Sequence, residues 1–441
     1  MSETRLAING DIPTRTVPFP AWPPVFQETQ ASGVACESGE KPQVEGKECA
    51  SIDDRYFDTL SCAVIEVLES GKLNYHTGEQ VKAFEEAFAR VIGVPHALAV
   101  ANGTLALELA LRACDVMPGD EVIVPSRTFI ATAGAVVAVG AKPVIADVDP
   151  ATNCMTAVSC AKVLTPRTTA VIPVHLGGYP APVTEIVSLA DQVGAVVIED
   201  CAQALGARYR GMAVGSLGTA GCFSFCQDKI LPLGEGGIIT FKDEDAYQRA
   251  WAYRDHGRSF EKAHEAHVGE ASSQFKWLND TFGTNARMTE VQGAMGLVAL
   301  GELDAWLERR ARNAQVLIDA MTELDGIDPV VLPAWLAEDS AQAYYRLYAR
   351  IEPEKLAEGW SRDRIIDALN AEGVPVQYGS CALISNERAF INAEIVTNVD
   401  LPGAREAHET SLAFFVHPTA TVADMEDVAG ALRKVIVVAV A

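Results

Sequence analysis

Seven short apolar segments, separated by stretches with helical spacing, occupy the middle of this chain. The predicted strands are 96–100, 121–124, 142–146, 169–174, 195–199, 221–225 and 237–241. Most are continuous runs of valine, isoleucine and alanine, which is typical of strands covered on both faces. The helical patterns between them include 81–92, 105–114, 129–139 and 182–193. This alternation predicts an α/β fold, with a mostly parallel seven-stranded sheet flanked by helices.

The regions on either side of this pattern differ from it in composition. Residues 1–55 are rich in proline, glycine and polar residues, which predicts an extended N-terminal arm followed by a loosely ordered loop at about 27–51. We expect a large α/β domain at 56–300. A long helical stretch at about 289–324 leads into residues 301–441, where strand and helix patterns predict a smaller α+β C-terminal domain.

Charge and cysteine usage exclude several classes of protein. The chain has 35 Lys and Arg residues against 59 Asp and Glu, a formal charge of −24, and no basic block, so a nucleic-acid partner is not expected. Its ten cysteines form no CxxC pair, which favours reduced thiols in a cytoplasmic protein and no metal site. The sequence shows no signal-peptide pattern and no apolar segment of membrane-spanning length, so we expect no membrane partner.

The residues that follow the predicted strands deserve most weight, because ligands bind outside the carboxyl ends of strands in doubly wound sheets. Asn102-Gly103-Thr104 follows the first strand and opens a helix, where free N–H groups can bind an anion or simply be capped. Glu199-Asp200 ends the fifth strand. Those acids either cap the next segment or direct a carboxylate at a cationic ring nitrogen.

Lys229 lies between two predicted apolar strands and just before the glycine-rich turn 234–237. Most lysines extend to solvent, but a buried lysine loses its proton readily and forms Schiff bases with carbonyl groups. Pyridoxal-5′-phosphate (PLP) chemistry requires such a lysine, an acid at the pyridine nitrogen and an anion site for the phosphate. The sequence offers all three, each at the end of its own predicted strand.

These segments resemble the DegT/DnrJ/EryC1/StrS aminotransferases, which are fold-type I PLP enzymes acting on keto sugars and related cyclic ketones. The resemblance is strong over about 70–300 and looser outside it. The segments that carry it are 84–85, 102–107, 125–132, 147–150, 173–178, 198–207, 223–225, Lys229, 234–237 and 283–290.

The resemblance implies catalytic roles for two residues and a ring contact for a third. Lys229 would hold the cofactor as a Schiff base and move the proton between the substrate carbon and the cofactor. Asp200 would keep the pyridine nitrogen protonated, so that the ring can accept electrons. Gln203 would contact the phenolic oxygen of the ring.

The remaining cofactor contacts follow from the same resemblance. Gly103, Thr104 and Ser224 would bind the phosphate, and Phe129 would stack on the ring face. Asn285 would reach the cofactor phosphate of the neighbouring subunit, which implies a homodimer with shared active sites.

Two segments depart from the family pattern, and three further residues are candidate substrate contacts. Asn102 stands where a serine is common, and its amide can still donate a hydrogen bond. Residues 230–233 replace frequent threonine and glycine and bear on substrate shape. His175 is either a substrate contact or a hydrogen-bonded histidine at a strand end, and the same two roles are open to His417. Arg258 could meet a nucleotide diphosphate or the carboxylate of the amino donor.

The implied reaction is a ping-pong transfer of an amino group from glutamate or glutamine to a cyclic ketone. A nucleotide-linked keto sugar used for surface polysaccharide or a glycosylated metabolite is the first expectation. The arm resembles the branch that aminates keto-cyclitols or makes aminohydroxybenzoate, which is the alternative. A PLP lyase or dehydratase, or a non-catalytic regulator, also remains open. Some dehydratases of the family carry histidine in place of the lysine, whereas this chain keeps Lys229.

Overall fold

The computed structural model describes residues 6–9, 13–21, 52–265, 278–379, 383–393, 395 and 400–440. The loop predicted at 27–51 lies outside these residues. Within the described part of the chain, no helix combines the length and the apolar character that crossing a membrane requires.

The described strands form a seven-stranded sheet, a four-stranded sheet and a two-stranded hairpin. In chain order they are β1 (His96–Val100), β2 (Glu121–Pro125), β3 (Lys142–Ala146), β4 (Thr168–Val171), β5 (Val196–Asp200), β6 (Arg208–Tyr209), β7 (Met212–Ala213), β8 (Ala220–Ser224), β9 (Gly237–Phe241), β10 (Ile327–Pro329), β11 (Leu347–Ile351), β12 (Val376–Gln377) and β13 (Ser411–Phe414).

The described helices cover both sheets. In chain order they are α1 (Ile52–Ser70), α2 (Gln80–Ile92), α3 (Gly103–Ala113), α4 (Ala131–Ala138), α5 (Ala157–Ala161), α6 (Val183–Ala190), α7 (Glu244–Arg254), α8 (Phe260–Glu265), α9 (Glu290–Gly301), α10 (Leu303–Thr322), α11 (Ala334–Ala337), α12 (Arg362–Ala371), α13 (Arg388–Asn392), α14 (Pro402–Thr410) and α15 (Val422–Val440).

The large sheet has the strand order β1-β9-β8-β5-β4-β2-β3. Strands β3, β2, β4, β5 and β8 run parallel to one another, and β9 is antiparallel to both β8 and β1. All seven strands match predicted segments, so the prediction of a mostly parallel seven-stranded sheet is confirmed. The parallel strands bring the ends of β5 and β8 to the same edge.

Both faces of the large sheet are buried, which explains the continuous apolar runs. Ala99 of β1 belongs to one apolar core, and its neighbours Leu98 and Val100 belong to another. Successive side chains of a strand point to opposite faces, so each run supplies two cores at once. Helix α2 adds Phe84 to the first core, and α3 adds residues to the second. Burying one such large side chain contributes about 1.5–3 kcal/mol.

The smaller sheet is antiparallel, in the order β10-β11-β13-β12, and packs against α10, α12 and α15. Its core contains Leu347 of β11, Leu412 of β13 and Leu432 of α15. The helical stretch predicted at 289–324 consists of two helices, α9 and α10, which meet at Glu302. Gly301 ends α9, and glycine is a poor helix former.

The described part of the N-terminal arm packs on this smaller sheet and its helices. Leu6 is 1% exposed within their core, and Arg15 forms an ion pair with Asp424 at 2.7 Å. The buried Glu372 accepts hydrogen bonds from the N–H groups of Ala7 (2.8 Å) and Thr14 (2.7 Å). Helix α1 begins before the arm boundary placed at residue 55. The division at 55 and 300 stays a prediction.

Candidate active site

A cavity of about 920 Å³ lies between the strand ends of the large sheet and the smaller sheet. It brings together seven of the eight residues predicted to bind the cofactor: Gly103, Thr104, Phe129, Asp200, Gln203, Ser224 and Lys229. They come from four separate stretches of sequence, and the parallel strands and the helices that follow them bring these stretches to one edge of the sheet.

The N-terminus of α3 and the end of β8 form a tight corner of the cavity. A Cβ atom at Gly103 would lie 2.6 Å from the Cβ atom of Ser224, so only glycine fits there. Asn102 caps the helix, because its Oδ1 atom accepts a hydrogen bond from the N–H of Leu105 at 2.9 Å. The N–H groups of the first helical turn, with the Thr104 and Ser224 hydroxyls beside them, suit an anionic group.

Asp200 ends β5 and is held by two hydrogen bonds. Its Oδ2 atom accepts from the Thr132 hydroxyl at 2.8 Å, and its Oδ1 atom accepts from the N–H of Ala202 at 3.2 Å. Burial raises the pKa of Asp200, while the bond from Thr132 and the positive charge of Lys229 act in the opposite direction. A cation bound against this buried carboxylate would favour its ionised form.

Gln203 and Phe129 also face the cavity. The Oε1 atom of Gln203 accepts a hydrogen bond from the N–H of Gly177 at 2.7 Å, which leaves the amide NH₂ as a hydrogen-bond donor toward a ligand. Phe129 is 57% exposed although it lies next to buried segments. An exposed aromatic ring in a cavity suits stacking on a flat ligand.

Lys229 projects its amine into the cavity beside Asp228. Its Nζ atom lies 3.4 Å from Oδ1 of Asp228 and 4.9 Å from the ring centroid of Tyr345. The Tyr345 hydroxyl donates a hydrogen bond to Oδ2 of Asp228. Although burial acts in the opposite direction, the charge of Lys229 and the bond from Tyr345 lower the pKa of Asp228. The Lys229 amine therefore lies next to a carboxyl group whose ionised form is favoured.

His175 does not line the cavity, and its predicted substrate contact stays a prediction. The side chain is fully buried, and both ring nitrogens are engaged. Nδ1 accepts from the N–H of Ala181 at 2.9 Å, so the proton lies on Nε2, which donates to Glu199 at 3.1 Å. His175 is the hydrogen-bonded histidine at a strand end that the sequence also allowed.

His175, Glu199 and Cys201 bring metal-ligand atoms within 4.8 Å of one another. The arrangement is satisfied without an ion, because the Glu199 carboxylate also accepts from the N–H groups of Gly215, Leu217 and Gly218 at 2.7–2.9 Å. Burial raises the pKa of Cys201 well above its usual range, which disfavours the thiolate that binds metals.

The structure does not bring His417 to the cavity either, so its predicted substrate contact also stays a prediction. His417 is 2% exposed, lies outside the cavity lining and stacks edge-on against Phe19 of the arm, with ring centroids 5.3 Å apart. Its Nδ1 atom lies 2.7 Å from the Thr419 hydroxyl. Burial, with the charges of Arg310 and Arg346, lowers the pKa of His417 to about 3, so the ring is neutral near pH 7. Packing between the arm and the smaller sheet accounts for its position.

Arg258 and Asn285 lie away from the cavity of their own subunit. The Nε atom of Arg258 lies 3.5 Å from Oδ2 of Asp255, and Asn285 is exposed beside Asp255 in an isolated bridge. The predicted substrate contact of Arg258 stays a prediction. The predicted contact of Asn285 also stays one, because it concerns the cofactor of the neighbouring subunit.

The smaller sheet contributes a wall of the cavity that was not predicted from the sequence. Strand β11 and the residues before it supply Tyr345, Arg346 and Tyr348, and the region around β12 and β13 supplies Gln377 and Phe415. These residues are distant in sequence from the strand ends that guided the prediction. Aromatic residues beside arginine in 344–348 were the available signal.

The residues present fit PLP. The corner at Gly103 and Ser224 leaves room that a Cβ atom would fill, Asp200 offers a carboxylate for a cationic ring nitrogen, and Lys229 offers an amine. PLP would supply an aldehyde that accepts the amino group from the donor, and a ring that withdraws electrons from the reacting carbon.

Comparisons with known proteins agree with this site. Residues 58–433 match the DegT/DnrJ/EryC1/StrS aminotransferase family. The L-glutamine:2-deoxy-scyllo-inosose aminotransferase of Streptomyces paromomycinus is 33% identical, over 98% of this chain and 97% of its own. The UDP-N-acetyl-3-dehydro-alpha-D-glucosamine 3-aminotransferase of Acidithiobacillus ferrooxidans is 39% identical, over 72% of this chain and 78% of its own.

A solved structure supports the same assignment. The X-ray structure of the aminotransferase from Psychrobacter cryohalolentis has a TM-score of 0.82 and 43% identity, and covers 86% of this chain and 96% of its own. The chain belongs to the DegT/DnrJ/EryC1/StrS family and is a PLP-dependent aminotransferase.

Proposed function

We propose that this enzyme transfers an amino group from glutamine or glutamate to the ketone of a six-membered ring, by a ping-pong mechanism through Lys229. The observation that carries the proposal is the Lys229 amine, 3.4 Å from Asp228 in a cavity that also exposes Asp200 and Gln203. An amine, a carboxylate partner and an acid for a ring nitrogen are the groups that amino transfer requires.

Each residue then has a task that its position allows. Lys229 would form the covalent link to the cofactor aldehyde, and the amine released from that link would take and return the proton at the reacting carbon. Asp228 lies close enough to orient that amine, and the Tyr345 hydroxyl holds the carboxylate of Asp228. Asp200 would stabilise positive charge on the ring nitrogen.

Glutamine is the first choice of amino donor. The S. paromomycinus relative is named for glutamine, and its alignment covers 98% of this chain. Transfer from glutamine leaves a keto acid in the first half-reaction, and the ring ketone accepts the amino group in the second. No oxidant or reductant is needed, because the same cofactor gains and loses the amino group.

Two acceptors deserve testing. A cyclitol ketone of the inosose type is favoured by the alignment that includes the N-terminal arm. The arm packs on His417, which in turn contacts Phe415 of the cavity wall. A nucleotide-linked keto sugar is favoured by the relative with 39% identity, which acts on a UDP-linked sugar. The nucleotide-linked sugar carries a diphosphate and the cyclitol ketone does not, so we expect the enzyme to prefer one acceptor class strongly.

We also propose a homodimer in which Asn285 completes the partner's site. Mixing two inactive variants tests this. Lys229→Ala and Asn285→Ala subunits that exchange would form some sites containing both wild-type residues, so activity would return. A mixture that exchanges subunits yet stays inactive would contradict shared sites.

The function is tested by supplying glutamine with scyllo-inosose, 2-deoxy-scyllo-inosose or a UDP-linked 3-keto sugar, and detecting the aminated product by mass spectrometry. Amination of one ring class supports the proposal. Loss of water from the sugar without incorporation of nitrogen would indicate a dehydratase. PLP binding without turnover on any ketone would indicate a regulator.

A further inference from the structure

We infer that Arg346 binds the α-carboxylate of the amino donor, an inference that rests on the proposed function. Arg346 lines the cavity from the side of the smaller sheet. Its guanidinium contacts two rings, with the Cζ atom 4.3 Å from the centroid of Tyr345 and 4.0 Å from that of Phe415. Contact with two aromatic rings restricts the orientations of the group before any ligand arrives.

Among the described residues, the one hydrogen bond that Arg346 donates leaves it able to bind an anion. Its Nη1 atom donates to the backbone carbonyl of Tyr345 at 2.9 Å, which uses one of the five N–H donors of a guanidinium. A planar guanidinium restricted in orientation matches the two oxygens of a carboxylate.

The charges around the cavity point to the same role. Among the described residues that line it, the cations are Lys229 and Arg346. Lys229 has Asp228 at 3.4 Å, whereas no carboxylate of the described chain forms an ion pair with Arg346 within 4.0 Å. A guanidinium partly removed from water beside aromatic rings is stabilised by an incoming anion.

The distance to the reacting centre suits the carboxylate of an amino donor. The Nζ atom of Lys229 lies 4.9 Å, and the Cζ atom of Arg346 4.3 Å, from the centroid of the same Tyr345 ring. The two groups are therefore separated by no more than the sum of these distances. In an amino acid the carboxylate is bonded directly to the carbon that reacts, so both groups can be engaged at once. The diphosphate of a nucleotide sugar lies several bonds from the ketone.

Within one subunit, Arg346 is better placed for this role than Arg258, whose predicted contact stays a prediction. Arg258 has Asp255 at 3.5 Å and does not line the cavity of its own subunit.

The test compares wild-type enzyme with Arg346→Gln and Arg346→Lys. Arg350→Gln is the control, because Arg350 belongs to the same strand region but pairs with Asp328 and Glu406 outside the cavity. Each PLP-loaded protein receives glutamine, or 4-aminobutanamide, which is glutamine without its α-carboxylate. The rate of the first half-reaction is followed without an acceptor. Calorimetry measures binding of glutaramate, which is glutamine without its amino group and does not react.

We expect Arg346→Gln to weaken the apparent affinity for glutamine and for glutaramate by about 100-fold, since hydrogen bonds to charged groups are stronger than neutral ones. The response to 4-aminobutanamide and the KM of the ring ketone should stay within about threefold of wild type. Arg346→Lys should be intermediate, because an ammonium keeps the charge without the planar fork.

Two results would overturn the inference. Equal losses for glutamine and 4-aminobutanamide would mean that Arg346 only supports the fold of the wall. A raised KM for the ketone with unchanged glutaramate binding would assign Arg346 to the acceptor. If wild-type enzyme takes an amino group from no donor, the proposed function fails, and glutaramate binding still decides the role of Arg346.

Discussion

The two walls of the cavity are built in different ways. The wall on the large sheet comes from short motifs at strand ends, such as Asp200 at the end of β5 and Lys229 after β8. The wall on the smaller sheet comes from residues such as Arg346 and Phe415, which are distant in sequence and meet only through antiparallel pairing of β11 with β13. The first wall carries the groups that a cofactor requires, and the second carries groups suited to a substrate.

The difference suggests which changes should affect which step. Changes in the first wall should alter cofactor chemistry for every substrate. Changes in the second should discriminate among amino donors and ring ketones, except at Tyr345, whose hydroxyl bonds to Asp228. The following variants test that division and the anchoring of the N-terminal arm, beginning with the largest expected effect.

Asp200→Asn should lower kcat by about 10³-fold or more for all substrates. An amide cannot stabilise a protonated ring nitrogen as a carboxylate does, and the hydrogen bond from Thr132 would keep the side chain in place. Single-turnover kinetics with several donors would show equal losses. A loss confined to one donor would contradict the division between the walls.

Gly103→Ala should weaken PLP affinity by about 100-fold. The new methyl group would lie 2.6 Å from Cβ of Ser224, which forces the helix N-terminus and β8 apart at the corner that suits phosphate. Cofactor titration followed by fluorescence measures the effect. Gly134→Ala is the control, because a Cβ atom there meets nothing within 4 Å. Equal affinity in the two variants would argue against a phosphate site at Gly103.

Glu372→Gln should cost about 2 kcal/mol of unfolding free energy at pH 7 and reduce its pH dependence. Burial raises the pKa of Glu372, but hydrogen bonds from the Ala7 backbone, the Lys434 side chain and Thr14 outweigh it and lower the pKa to about 2. Because the pKa of Glu372 is lower in the folded protein than in the unfolded chain, its carboxylate stabilises the fold at pH values above about 4.5. This stabilisation is lost as the pH falls from about 4.5 toward 2.

Denaturant unfolding between pH 7 and pH 3 measures that contribution, with Glu354→Gln as the exposed control. If the Glu372→Gln and Glu354→Gln proteins were equally stable at pH 7, anchoring of the arm through Glu372 would be refuted. The kcat of Glu372→Gln should stay near wild type, because Glu372 does not line the cavity.

Tyr345→Phe should lower kcat by about tenfold and move the acid limb of the pH profile upward. Removing the hydroxyl takes away one of the groups that lower the pKa of Asp228, so this carboxylate would be protonated at a higher pH. Tyr344→Phe is the matched control, since Tyr344 does not line the cavity. If the acid limb did not shift, the protonation of Asp228 would not control the reaction of the Lys229 amine.

The first wall could be predicted from sequence because each part is local. A parallel strand buried on both faces is a continuous apolar run, and the polar residue that ends it stands out, as Asp200 does at the end of β5. Glycine at 103 and lysine at 229 each stand beside another such strand end, so the three residues together indicate a single cofactor site.

The second wall could not be predicted in the same way. The side chains of Tyr345 and Arg346 reach the cavity because β11 pairs with β13 and the smaller sheet faces the strand ends, which are long-range contacts. The surroundings of His175 could not be predicted from sequence for a related reason. Sequence marks His175 as the end of a strand, but only the fold shows that Ala181 and Glu199 engage both ring nitrogens.

An absorption spectrum of the PLP-loaded protein tests the role of Lys229 most directly. We predict a visible band from the lysine-linked cofactor, its loss when glutamine is added without an acceptor, and its return when the ring ketone follows. Lys229→Ala should lack the band and the cycle, while Lys162→Ala, an exposed lysine, should behave as wild type. A band unchanged by both glutamine and glutamate, or full turnover by Lys229→Ala, would contradict amino transfer through Lys229.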